Sequence, residues 1–333
     1  MTLPEFSFPV LLLIALALAF DFLNGFHDSS NIVATMIASR ALSGRAALTI
    51  TAIAEFVGPF LFGVAVATTI GNEALNLDVI ELHVIQGALA AAIAWNLLTW
   101  WVGIPSSSSH ALVGGLIGAA VVENGLSVVR LAGIEKVLVA LLVSPVIGFV
   151  VGYLVMETIL FLARGASPRI NEFFKTSQLA TALALALSHG TNDAQKTMGV
   201  ITMGLVAGNV IDKFQVPLWV IAVSAAAISL GTYTGGWRLI RTLGGKFYKI
   251  RPVHGFSAQI ASASVILGAA VLGGPVSTTQ VVSSAILGVG SAERFSKVRW
   301  GVAGQIVTAW LTTIPFAALL AAVFVMVFRN LVR

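Results

Sequence analysis

Two aspartates sit in matching surroundings in this chain of 333 residues. The first lies in Asn24-Gly25-Phe26-His27-Asp28-Ser29-Ser30-Asn31, the second in Ser188-His189-Gly190-Thr191-Asn192-Asp193-Ala194-Gln195-Lys196. Aligning Gly25 with Gly190 pairs His27 with Asn192, Asp28 with Asp193 and Asn31 with Lys196. Each copy interrupts an apolar run, and an acid kept inside a membrane segment is usually there to bind something. An Asp ahead of an apolar run is also a good helix N-cap. The two roles are compatible, because the N-terminus of a half-helix is itself an anion site. Matching acids in two halves point to one site with two contributors.

A second pair of motifs carries hydroxyls. Ile104-Pro105-Ser106-Ser107-Ser108-Ser109-His110 is mirrored by Gly274-Pro275-Val276-Ser277-Thr278-Thr279-Gln280, and each leads directly into an apolar helix. Ser107, Ser108 and Ser109 pair with Ser277, Thr278 and Thr279. Consecutive hydroxyls and free backbone N–H groups at a helix start make a donor-rich cradle for an oxyanion. A polar turn at a membrane surface would have the same composition. Re-entrant hairpins reconcile the irregular backbone with its apolar flanks, since such backbone is tolerated at depth where it lines a cavity or is packed in protein. Lys196 follows Asp193 by one helical turn, either paired with it or snorkelling. Asp21 and Glu55 also lie among apolar neighbours, and Asn24 offers an amide oxygen close to Asp28. His27, His110 and His189 flank the motifs as proton carriers active near neutral pH. Glu157, His83 and His254 read as interfacial or loop-edge residues.

The elements that must position these groups are membrane helices. The chain is 57% hydrophobic and 10% charged, with 32 glycines, and its mean hydropathy is +0.95. Apolar runs reach spanning length repeatedly. Leu11–Phe20 resembles a signal-peptide core, but no small-residue cleavage site precedes Asp21, so a retained helix is expected. The net charge of +5 has no basic stretch interleaved with aromatics, which argues against nucleic acid. No cysteine exists to form a disulfide or a thiolate metal site. Metal-ligand spacings of the Cys/His kind and nucleotide-binding glycine loops are missing as well, so no cofactor is expected.

Hydrophobic segments fall at roughly 8–39, 46–70, 83–103, 107–122 and 136–163, then at 178–208, 217–235, 255–273, 277–290 and 301–328. The first of each set is expected to break at its Asp motif. The motif separations, 165 residues from Asp28 to Asp193 and 170 from Pro105 to Pro275, agree to within a short loop. The organisation is therefore a first membrane repeat at 1–163, a cytoplasmic linker at 164–177 and a second membrane repeat at 178–333. Loop 71–82 carries Glu73, Asp78 and Glu81, whereas its counterpart 236–254 carries Arg238, Arg241, Lys246, Lys249 and Arg251. Basic loops favour the cytoplasm, so the repeats are inverted and both termini face outward, with Arg329 and Arg333 against the rule. The expected fold is an all-α polytopic membrane protein with two inverted-topology repeats, discontinuous helices and re-entrant hairpins, integral to the plasma membrane. That is the architecture of a secondary transporter. No loop is long enough for a nucleotide-hydrolysing domain, so the driving force is an ion gradient.

These motifs resemble the duplicated signature of the inorganic phosphate transporter (PiT) family. The two Asp motifs, the two Pro–hydroxyl motifs and Gly231-Thr232-Tyr233-Thr234-Gly235-Gly236-Trp237 carry the resemblance over nearly the whole chain. It implies a phosphate symporter driven by sodium or protons, with sulfate carried by some bacterial relatives, and a homodimer. Three positions depart from the family pattern: His27 in place of Asn, Gln280 where His is frequent, and Gln259 where Glu is usual. The residues themselves favour phosphate, which keeps an O–H donor for a carboxylate, over sulfate, which has none at neutral pH. The expected anion ligands are Asn31, Ser107, Ser108, Ser109, Asn192, Lys196, Ser277, Thr278 and Thr279. The expected coupling-ion groups are Asp21, Asn24, His27, Asp28, Glu55, His110, His189 and Asp193. The fixed charge of Lys196 and the neighbouring histidines favour H+ over Na+, with phosphate entering alone or as a metal–phosphate complex. Three other classes fit parts of the pattern: a sulfate permease, a channel, and a membrane serine hydrolase using Ser106–Ser109 with His110. The hydrolase needs a base oriented by a third group, and the second copy has Gln280 where that base would be.

Overall fold

The computed structural model describes residues 6–104, 106–235 and 250–331. Pro105, Gly236, Trp237, Arg238, Arg241, Lys246, Lys249 and Arg333 lie outside the described residues, as does the side chain of Asp78. Most of the basic loop that argues for inversion is among them.

The described chain is helical, with a single isolated bridge between Leu75 and Val129. Its helices are α1 (Phe8–Ala38), α2 (Gly44–Leu61), the short α3 (Ala65–Thr68) leading into a π-turn at Thr69–Glu73, α4 (Leu82–Val102), α5 (Ser108–Asn124) and α6 (Leu131–Leu162). The second half supplies α7 (Ile170–Ala207), α8 (Leu218–Thr234), α9 (Pro252–Val271), α10 (Thr278–Arg294) and α11 (Trp300–Leu331). Among the described residues, six helices, α1, α2, α4, α6, α9 and α11, are long and apolar enough to cross a membrane.

Helix packing carries the duplication. α1 lies on α8 and α7 on α2; α1 meets α4 and α7 meets α9. Likewise α5 packs on α11 and α10 on α6, while α4 meets α11 and α9 meets α6. Each half therefore buries its motif helix against the other half, and α1 and α7 touch at the centre.

The expected breaks at the Asp motifs are absent. α1 runs unbroken through Asn24–Asn31 and α7 through Ser188–Lys196. The glycines that suggested a break serve close packing instead. A Cβ on Gly25 would lie 2.1 Å from the Ile228 carbonyl oxygen, and one on Gly190 would lie 2.5 Å from the Glu55 carbonyl oxygen. Gly25→Val is therefore expected to lower stability by about 3 kcal/mol or more, read as a fall in melting temperature of the purified protein. α7 tolerates its polar centre because every residue from Ser188 to Leu205 is buried, so its neighbours are protein and not lipid. It also starts at Ile170, which places most of the expected linker in its first turns.

The breaks occur at the hydroxyl motifs. α4 ends at Gly103 (φ 82°), and α9 is followed by Gly273 (φ 73°). Both are left-handed turns that glycine accepts readily. The amides of Ile104 and Gly274 close them by donating to the carbonyls of Thr99 (3.0 Å) and Ala269 (2.8 Å). The next helices then start on matching caps: Ser107 Oγ accepts from the His110 amide at 3.1 Å, and Ser277 Oγ from the Gln280 amide at 3.4 Å.

The far ends of these hairpins hold the two histidines read as loop-edge residues. His83, on the first turn of α4, is buried between Glu81 (3.3 Å) and Glu123 at the end of α5 (3.4 Å). His254, on the first turn of α9, is buried against Glu293 at the end of α10 (2.7 Å), which also pairs with Arg251 and with Lys297 at 2.9 Å. Each hairpin is thus pinned at its base by a His–Glu contact.

Candidate functional site

Where the central helices α1 and α7 meet the caps of α5 and α10, the polar side chains form one buried cluster. On α1, Asp28 Oδ1 accepts from Asn31 Nδ2 (2.9 Å) and Thr279 Oγ1 (2.7 Å). Its Oδ2 lies 3.1 Å from Thr278 Oγ1. On α7, Asp193 Oδ2 lies 3.0 Å from the same Thr278 oxygen and accepts from Asn24 Nδ2 at 3.2 Å. A hydroxyl has one proton, so the two carboxylates share it. Lys196 Nζ donates to Asp193 Oδ1, to Ser109 Oγ (2.7 Å) and to the Val276 carbonyl (2.8 Å). Ser108 donates to Asn24 Oδ1 at 2.5 Å. Asn31 also donates to Thr279 Oγ1 (3.1 Å), and Asn192 donates to the Gly274 carbonyl (3.1 Å).

His189 ties the acids together. Its Nδ1 is 2.7 Å from Glu55 Oε1 on α2, and its Nε2 is 3.6 Å from Asp28 Oδ2 and 3.4 Å from Asp193 Oδ2. Atoms of Asp28, His189 and Asp193 lie within 4.8 Å of one another, a grouping that suits a small cation. His27 Nδ1 lies 3.4 Å from Asp28 Oδ1. The groups of the cluster are all at most 3% exposed.

The expected site residues thus converge, with four at the margin of the cluster. Ser107 and Ser277 are spent as helix caps. His110 is 2.8 Å from Ser107 through Nδ1 and 3.3 Å from Gln280 through Nε2. With an amide at its far side, His110 has no acid there to orient it as a base, which removes the geometric ground for the hydrolase reading. His110 and Gln280 also form the polar floor of a cavity of about 500 Å³ whose walls come from α6 and α11, among them Leu142, Val146, Trp310 and Leu311. Asp21 is fully buried beside Thr197, one turn from Asn24 and apart from the hydrogen bonds of the cluster.

Two glutamines complete the frame. Gln195 caps α3 by accepting from the Val66 amide at 2.8 Å. Gln259, read as a lost acid, bridges the motif helices by donating to Thr35 (3.0 Å) and accepting from Thr181 (2.5 Å). The signal for Gln195 was present in the sequence as an amide inside the second motif, between Asp193 and Lys196.

Acids and hydroxyls gathered from both halves at one buried centre of a helical membrane protein suit the transport of a small polar solute. The chain belongs to the phosphate transporter family, whose model matches residues 24–321. It is an integral membrane protein and not an enzyme. It is 44% identical to a "Probable low-affinity inorganic phosphate transporter" of Bacillus subtilis (strain 168), over 94% of this chain and 95% of that one. A protein of the same description from Rhizobium meliloti (strain 1021) is also 44% identical, over 95% of this chain and 96% of its own. Among solved structures, "The sodium-dependent phosphate transporter" shares the fold, with a TM-score of 0.87 and 24% identity over 97% of this chain and 100% of that chain.

Proposed function

We propose that the protein imports inorganic phosphate together with protons by alternating access of its two repeats. The carrying observation is the convergence of Asp28 and Asp193 on the Thr278 hydroxyl. Lys196 offsets one of the two carboxylates, so an anion entering beside them needs further positive charge to enter with it. Obligatory symport follows from that requirement. Phosphate fits the donors and acceptors together. Its acceptor oxygens can take the hydroxyls of Ser108, Ser109, Thr278 and Thr279 and the amides of Asn31 and Asn192, while its own O–H donates to a carboxylate. Sulfate at neutral pH offers no such donor.

Protons are the favoured coupling ion because His189, an ionisable group suited to neutral pH, contacts three carboxylates. Sodium is the second reading, supported by the oxygen atoms that Asp28, Asp193 and Thr278 bring together and by the name of the solved transporter that shares the fold. The halves would exchange access around the fixed site, as inverted repeats do, with both termini extracytoplasmic.

The test is uptake of labelled phosphate into liposomes holding the purified protein, under an imposed proton gradient, then a sodium gradient, each with excess sulfate. Proton-driven accumulation that ignores sulfate is expected. Accumulation driven by sodium alone would replace the coupling ion. Uptake abolished by sulfate would make the protein a sulfate permease.

A further inference from the structure

Lys196 and Asn31 occupy equivalent positions in the two halves, and their contacts are equivalent too. Asn31 Nδ2 bridges Asp28 Oδ1 and Thr279 Oγ1 at 2.9 and 3.1 Å. Lys196 Nζ bridges Asp193 Oδ1 and Ser109 Oγ, the mates of those two groups, and adds the Val276 carbonyl at 2.8 Å. Lys196 is 1% exposed, and protein oxygens take its three ammonium N–H groups. A carboxylate, a hydroxyl and a main-chain carbonyl around one point make the oxygen set that a hard cation such as Na+ takes. In the first half the corresponding point holds a neutral amide, so no fixed charge offsets Asp28.

We infer that Lys196 is a tethered cation, permanently filling one of two symmetry-related cation positions. The Asp193 half is neutralised by the chain itself, and only the Asp28 half exchanges its positive charge during the cycle. Each anion then travels with one cation fewer than a site with two open positions would demand. The inference rests on the symport reading for its consequence in transport, but the position itself is testable without phosphate.

The experiment compares the wild-type protein with Lys196→Asn, which installs the other half's residue. Melting temperature in detergent is followed as Na+ replaces choline at constant ionic strength, without phosphate. An Na+-dependent rise is expected in the variant and not in the wild type, because the vacated oxygens can then bind the ion and stabilise the fold. No rise, or a variant that does not fold even in Na+, would overturn the inference. Phosphate uptake by the same variant is expected to fall at least about fivefold in choline and to recover in Na+. Uptake in choline equal to that of the wild type, or a loss that Na+ does not repair, would also overturn it. A wild type that moves no phosphate, beside a variant that melts higher in Na+, would sink the phosphate reading and leave the tethered cation standing.

Discussion

Asp28→Asn is expected to leave a folded protein that accumulates no phosphate, whereas Asp193→Asn is expected to fail earlier, at folding. The two acids are equivalent in sequence and differ in their partners. Asp28 is surrounded by neutral donors, Asn31, Thr278 and Thr279, with His27 and His189 at longer range. An amide can take most of those bonds, so the fold is expected to survive while the carboxylate that the proposed symport neutralises in each cycle is gone. Accumulation should fall about 100-fold, to the background of empty liposomes. Asp193 faces Lys196 inside the protein, and removing one partner of a buried pair strands the other charge at a penalty of about 3–5 kcal/mol. That is a large share of the roughly 5–15 kcal/mol by which proteins are stable. Asp193→Asn should therefore melt far below Asp28→Asn. Adding Lys196→Met to Asp193→Asn should restore much of the stability without restoring transport, since neighbouring changes couple. Equal melting temperatures for the two single variants would show that the pairing with Lys196 does not hold the fold.

The convergence of Asp28, Asp193 and the hydroxyl clusters was legible because duplication marks it twice, at nearly equal spacing. The continuity of α1 and α7 was not. Gly25 and Gly190 beside acids look like helix breakers, and their use in letting Ile228 and Glu55 approach depends on partners distant in sequence. A polar centre in α7 likewise reads as a break when lipid is assumed outside, yet it is stable because protein surrounds it. The left-handed turns at Gly103 and Gly273 were local enough to suggest hairpins. The contacts of His83 with Glu123 and of His254 with Glu293 join residues about 40 positions apart, for which nothing in the local pattern speaks. Gln259 shows the same limit from the other side. Its type departs from the family pattern, and only its contacts with Thr35 and Thr181 reveal a brace between α1 and α7.

If the proposed proton symport is right, His189→Gln is expected to separate proton coupling from phosphate binding. In the native protein His189 stands between Glu55 at 2.7 Å and the two aspartates at 3.4 and 3.6 Å. Once protonated it offsets charge on both sides, and without the proton it leaves three buried acids with one fixed cation, Lys196, among them. Glutamine keeps an amide donor and acceptor of similar reach but cannot titrate. Because the Gln amide can still donate to Glu55, folding should suffer by only about 1–3 kcal/mol, the order of one weakened hydrogen bond to a charged group. The hydroxyl cradle of α5 and α10 is untouched, so exchange of labelled for unlabelled phosphate across the liposome membrane should continue. Uphill accumulation under a proton gradient should disappear, because exchange needs only binding and turnover, whereas accumulation needs the proton to be carried. If both activities vanish together, His189 belongs to the anion site. If accumulation persists, the proton travels elsewhere, and Asp21, fully buried beside Thr197, becomes the group to change next.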